Sequence, residues 1–163
     1  MRQPLWTRRE ALAAAAAAVS LPLVGMTAGN RMMTRPIPSS NEPLPVVGLG
    51  TYSVFDVAST PNAVAERLRI MELLVGAGGS VVDTPPMYNR SEEVIGDVIA
   101  AGAPRDDLFI ATKVWTDGRE AGVQQMKRSA QLMRTDVIDL MQVHNLRDTD
   151  VHMRTIRDRQ ERG

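Results

Sequence analysis

The sequence predicts an α/β fold built on a parallel sheet with helical crossovers. Three observations carry that reading. Apolar strand-like runs and amphipathic segments alternate strictly through four strand–helix units. Each unit occupies about thirty residues, the length a βαβ repeat requires. The third strand, Asp107 to Val114, is an almost unbroken apolar run that suits burial on both faces.

The first thirty residues read as an export signal outside the fold. Thr7-Arg8-Arg9-Glu10 leads into an Ala-rich apolar run from Ala11 to about Val24, with small residues beyond it. The paired arginines point to the twin-arginine route, hence a periplasmic destination, with cleavage near Ala28. The run is shorter than the roughly 20 apolar residues that span a bilayer, so no stable membrane span is expected after cleavage. Residues 31–45, rich in proline and polar side chains, read as a linker or leading ribbon. The domain proper is expected over 46–163.

Leu44 to Thr51 reads as the first strand, ending in a glycine turn. Pro61 to Val75 places Val64, Leu68, Met71, Leu74 and Val75 at helical spacing and stops at Gly76–Gly79. Val81-Val82-Asp83 follows as a β-branched strand, closed by Pro85 and Pro86, which have no N–H to donate to a ladder. Ser91 is expected to cap the helix Glu92–Ala101, whose acidic first turn suits the positive dipole end. After the third strand come a helix over Glu120–Arg134, a strand over Val137–Val143 and a polar helix over Asp148–Arg162.

Composition narrows the function. Nineteen Lys and Arg balance nineteen Asp and Glu, so charge gives no argument for a nucleic-acid partner. There is no cysteine and there are only two histidines, and no metal-ligand spacing is visible. Gly48-Leu49-Gly50 lacks the third glycine of a dinucleotide fingerprint and opens into a loop.

Four residues line up at successive strand ends: Asp83, then Tyr88 on the following loop, Lys113 and His144. In parallel α/β architectures that edge carries the chemistry. A tyrosine hydroxyl, with an ordinary pKa of about 10, is a poor acid at neutral pH. A neighbouring ammonium stabilises the phenolate and makes proton donation to a carbonyl oxygen feasible. A carboxylate would hold that ammonium, and an imidazole would orient the carbonyl. Singly, each residue has a structural explanation as turn former, solvated strand tip or satisfied histidine; together they describe a site.

These motifs resemble the aldo-keto reductase family. Val46-Val47-Gly48-Leu49-Gly50-Thr51-Tyr52 is similar to its opening strand, and Val82-Asp83-Thr84-Pro85-Pro86-Met87-Tyr88 to its aspartate–tyrosine loop. Ile110 to Trp115 is similar to its lysine strand, and Asp139 to Asn145 to its histidine strand. The resemblance implies an (α/β)8 TIM-barrel type that reduces an aldehyde or ketone with NADPH, or NADH. In that scheme Tyr88 is the proton donor, Lys113 and Asp83 its tuning pair and His144 the carbonyl-orienting group. Thr51 and Asp83 would lie beside the nicotinamide, and Tyr52 and Trp115 would line the substrate pocket. Asn89 stands where the family generally has glycine, and asparagine tolerates the left-handed backbone such a turn needs.

An eight-unit barrel needs about 200 residues or more, and four units are present. The expectation is therefore a half barrel holding the tetrad, truncated before the positions that grip most of the cofactor, and inactive or nearly so alone. Exposed half-barrel edges would favour self-association. The alternative is a non-catalytic binding or regulatory module on the same scaffold.

Overall fold

The computed structural model describes residues 32–162, so the expected export signal lies outside the described residues. It opens with a two-stranded antiparallel hairpin, β1 (Thr34–Pro36) and β2 (Pro43–Pro45), within the proline-rich stretch. Eight strands and helices alternate from there: β3 (Leu49–Gly50), α1 (Pro61–Gly76), β4 (Val81–Asp83), α2 (Ser91–Ala100), β5 (Phe109–Val114), α3 (Arg119–Leu132), β6 (Leu140–Val143) and α4 (Thr149–Gln160). The four strands β3, β4, β5 and β6 form one parallel sheet in chain order, with α1, α2 and α3 each crossing over to the next strand. Successive helices pack on one another in the same order.

Three boundaries differ from the sequence expectation, each for a local reason. The run Leu44–Thr51 is not one strand. Its first part pairs within the hairpin, and only Leu49–Gly50 joins the sheet. At Gly48 the backbone runs so close to β4 that a side chain there would sit 2.8 Å from Val81 Cβ. The last strand begins at Leu140, because Asp139 bonds in place of a ladder residue: its N–H donates to the Ile110 carbonyl oxygen (3.0 Å) and its carboxylate accepts from the Ile110 N–H (2.8 Å). Ser91 does not cap α2. Arg90 occupies the cap position with no side-chain bond, and the Ser91 hydroxyl is turned instead to the Thr51 carbonyl oxygen (3.4 Å). The first turn of α2 still carries Glu92 and Glu93, where the dipole favours negative charge. By contrast, Thr60 caps α1 by accepting from the Ala63 N–H (3.3 Å), with Pro61 at the first helical position.

The core lies between sheet and helices. Phe55, Met71, Val82, Val94, Ile95, Val98, Ile110 and Met133 are fully buried there. Alternation along β4 and β5 sends Val82 and Thr112 into this layer and Asp83 and Lys113 to the other face. Among the described residues no helix is long and apolar enough to cross a membrane, and no cluster of three His, Asp or Glu side chains is placed to hold a metal ion.

Candidate active site

The sheet register sets the site. Gly50 pairs with Asp83, Asp83 with Ala111, and Lys113 with Gln142, so Asp83, Lys113 and the residue after Val143 stand at the carboxyl ends of adjacent strands. Lys113 Nζ donates to Asp83 Oδ1 at 2.6 Å, the short distance of a charge-assisted bond. It also reaches the Thr84 carbonyl oxygen at 3.4 Å. The lysine side chain is 16% exposed and the aspartate 43%, so the ammonium is enclosed while the carboxylate opens on the rim.

Tyr88 lies on the β4–α2 loop, its ring edge-on to Tyr52 with centroids 4.9 Å apart. Among the described residues no hydrogen bond joins the Tyr88 hydroxyl to Lys113. The backbone after it takes the left-handed turn that the sequence suggested: Asn89 has φ +44° and donates from Nδ2 to Asp56 Oδ2 at 2.7 Å. His144 leaves β6 at the start of a one-turn 3-10 segment, His144–Leu146. Its ring meets Trp115 edge-on at 6.2 Å. Three residues just beyond it, Asn145, Leu146 and Asp148, have φ near +50°, a concentration of strained backbone at the rim.

Trp115 is 39% exposed and Tyr52 69% exposed, each just past the carboxyl end of its strand, β5 and β3. Thr51 is fully buried and donates its hydroxyl to the Asp83 carbonyl oxygen at 3.1 Å, which fixes the backbone of the aspartate. Two grooves elsewhere do not belong to this rim. One runs between α3, the start of β6 and the end of α4, and the other lies under the β1–β2 hairpin.

Sequence reasoning missed two features. Arg147 lies over the Trp115 ring, 5.2 Å from its centroid, and forks onto Asp117 (Nε to Oδ1, 2.9 Å). Arg147 holds the Asp117 carboxyl below the usual carboxylate range, chiefly by hydrogen bonding. The second is Glu92, which is 3% exposed and accepts from Thr112 Oγ1 (2.8 Å) and Ser129 Oγ (3.0 Å). A signal for the first was Trp115 and Arg147 on neighbouring strand-end loops; for the second there was none, because Glu92 looks like a first-turn dipole residue.

Burial raises the Glu92 carboxyl above its ordinary range, against the opposing pull of its two hydrogen bonds and of the Arg128 and Lys113 charges. A raised folded-state value means that the folded chain holds the proton more tightly than the unfolded chain. The stability this contributes is complete below the unfolded carboxyl range and is lost as pH rises through the raised value. Glu92→Gln is therefore expected to gain stability relative to the parent as pH is raised from the ordinary carboxyl range, about pH 4, toward neutrality. Urea midpoints across that range measure it, and parallel curves for the two proteins would contradict it.

The aldo/keto reductase family model matches residues 46–160. Methylglyoxal reductase DkgB of Salmonella typhi is 34% identical over 107 residues, covering 62% of this chain and 36% of that protein. Among solved structures, an aldo/keto reductase from Brucella melitensis superposes with a TM-score of 0.62 at 25% identity, covering 80% of this chain and 49% of the other. A Bombyx mori aldo-keto reductase in complex with NADP gives 0.53 at 27% identity, covering 69% and 38%. The chain spans about a third of the length of the curated relatives it matches. The four-stranded parallel sheet with its helices is an arc of the barrel seen in those structures.

Proposed function

This chain belongs to the aldo/keto reductase family, and from that membership we propose that its strand-end rim reduces the carbonyl of a small aldehyde or ketone to an alcohol. The observation that carries the reading is the Lys113–Asp83 ion pair at 2.6 Å, on the rim that also bears Tyr88 and His144. Relatives that are named methylglyoxal reductases, and one whose structure holds NADP, support it.

The residues present fit the nicotinamide end of a dinucleotide. Asp83 gives one carboxylate oxygen to Lys113 and keeps the other, in a half-exposed side chain, for a hydroxyl or amide donor. Thr51 would flank that position by fixing the Asp83 backbone. When bound, NADPH (or NADH) supplies the hydride. Tyr88 hands its phenolic proton to the carbonyl oxygen as negative charge develops there. Lys113, held in place by its bond to Asp83, stabilises the phenolate that remains. His144 donates a hydrogen bond to the same oxygen and orients it, with its ring steadied by Trp115. Tyr52 and Trp115 offer the substrate two aromatic walls.

The test uses a chimaera in which residues 46–160 replace the matching segment of methylglyoxal reductase DkgB. Methylglyoxal-dependent NADPH oxidation is the expected result. A folded chimaera that binds NADPH and leaves the carbonyl untouched contradicts the reading and favours a binding module.

The export reading is proposed in the same terms. The full chain is expected in the periplasmic fraction, shortened near Ala28, and an Arg8→Lys, Arg9→Lys variant is expected to stay unprocessed in the cytoplasm. Equal processing of both proteins would count against the twin-arginine route.

A further inference from the structure

The first turn of α2 reaches both members of the rim ion pair indirectly, through Thr51 to the Asp83 backbone and through Thr112 to the residue before Lys113. One arm runs from Ser91, whose hydroxyl donates to the Thr51 carbonyl oxygen (3.4 Å); the Thr51 hydroxyl in turn donates to the Asp83 carbonyl oxygen (3.1 Å). The other runs from Glu92, whose Oε1 accepts from Thr112 Oγ1 (2.8 Å), and Thr112 is the residue before Lys113. The second Glu92 oxygen accepts from Ser129 on α3 (3.0 Å). Both Glu92 oxygens are therefore taken, in a side chain only 3% exposed.

There is little slack in this arrangement. One turn along α2, Gly96 meets α3 so closely that a Cβ would lie 2.0 Å from the Leu132 carbonyl oxygen. Successive strand residues face opposite ways. Holding Thr112 down in the helix layer thus fixes the outward rise of Lys113 toward Asp83. A carboxylate taken out of water is costly unless its acceptors are filled. A fold needing only filler here has cheaper choices, such as an apolar side chain of equal volume.

We propose that Glu92 is a positioning residue: through Thr112 it sets where the Lys113 ammonium stands relative to Asp83 and the proton donor. The proposal rests on the carbonyl-reduction reading for the use of that ammonium, but its test does not. The chain has two lysines, Lys113 and Lys127, so 13Cε-lysine labelling of the 163-residue protein gives two ε-methylene signals, assigned with Lys127→Arg.

In Glu92→Met and in Thr112→Val the Lys113 signal is expected to move by more than its linewidth, with Lys127 unmoved. Glu92→Gln, which can still bond both hydroxyls, is expected to return the signal toward the parent position. An unmoved Lys113 signal in folded Thr112→Val and Glu92→Met overturns the proposal. So does a joint shift of both lysines, which marks general loosening, or a Gln variant displaced as far as the Met variant. Should Glu92→Met fail to fold, the near-isosteric Thr112→Val decides. A Lys113 signal that responds as expected, in a protein whose DkgB chimaera folds and binds NADPH yet leaves the carbonyl untouched, would keep the positioning role and reject the reductase reading.

Discussion

Tyr88→Phe in the DkgB chimaera is expected to reduce carbonyl-dependent NADPH oxidation by about 10²- to 10⁴-fold, the usual contribution of a positioned acid. The substitution removes one oxygen and leaves the ring, so the edge-on contact with Tyr52 survives. The loss should fall on kcat, because the proton is needed only as charge develops on the carbonyl oxygen. NADPH binding should be unchanged, since the lysine–aspartate pair does not depend on the phenol for its bond. Steady-state kinetics with a fluorescence titration of NADPH separates the two quantities. Retained kcat would remove Tyr88 from the chemistry.

Gly96→Ala is expected to destabilise the fold by about 1–3 kcal/mol, the range for forcing extra atoms into a packed interior. The added methyl would fall 2.0 Å from a backbone oxygen, and backbone cannot swing aside as a side-chain tip can. α2 and α3 would have to part, and the Glu92–Ser129 bond between them would stretch. Urea unfolding gives the change directly. A variant as stable as the parent would show that these helices have room to move, and would weaken the argument that α2 rigidly supports the rim.

The alternation of strands and helices was legible because each element carries its own periodicity. Asp83, Lys113 and His144 were legible because a strand's carboxyl end is visible wherever an apolar run gives way to a polar residue, and Tyr88 because it stands on the loop that follows one of them. Strand lengths were less so. Val46 and Val47 have strand propensity, yet lie outside the ladder where Gly48 crowds β4, a tertiary constraint no local pattern encodes. Val137 to Asp139 failed as a strand for a similar reason: the Asp139 carboxylate takes an N–H that a ladder carbonyl would otherwise accept. Ser91 had the chemistry of a cap but found the Thr51 carbonyl oxygen first. Glu92 was invisible because sequence gives no direction to a first-turn glutamate. Only the packed helix α3 shows that it points inward.

The central claim is that the Tyr88 phenol and the Lys113 ammonium act on one point at the rim. With two tyrosines and two lysines in the chain, a protein labelled with 13Cζ-tyrosine and 15Nζ-lysine, in a Tyr52→Phe, Lys127→Arg background, contains a single labelled pair. Rotational-echo solid-state NMR then reads one distance. The account predicts dipolar dephasing that corresponds to a Cζ–Nζ separation within roughly 6 Å, the reach of a phenol and an ammonium joined directly or through one water. Absence of dephasing, with the Lys113–Asp83 pair intact, would contradict it.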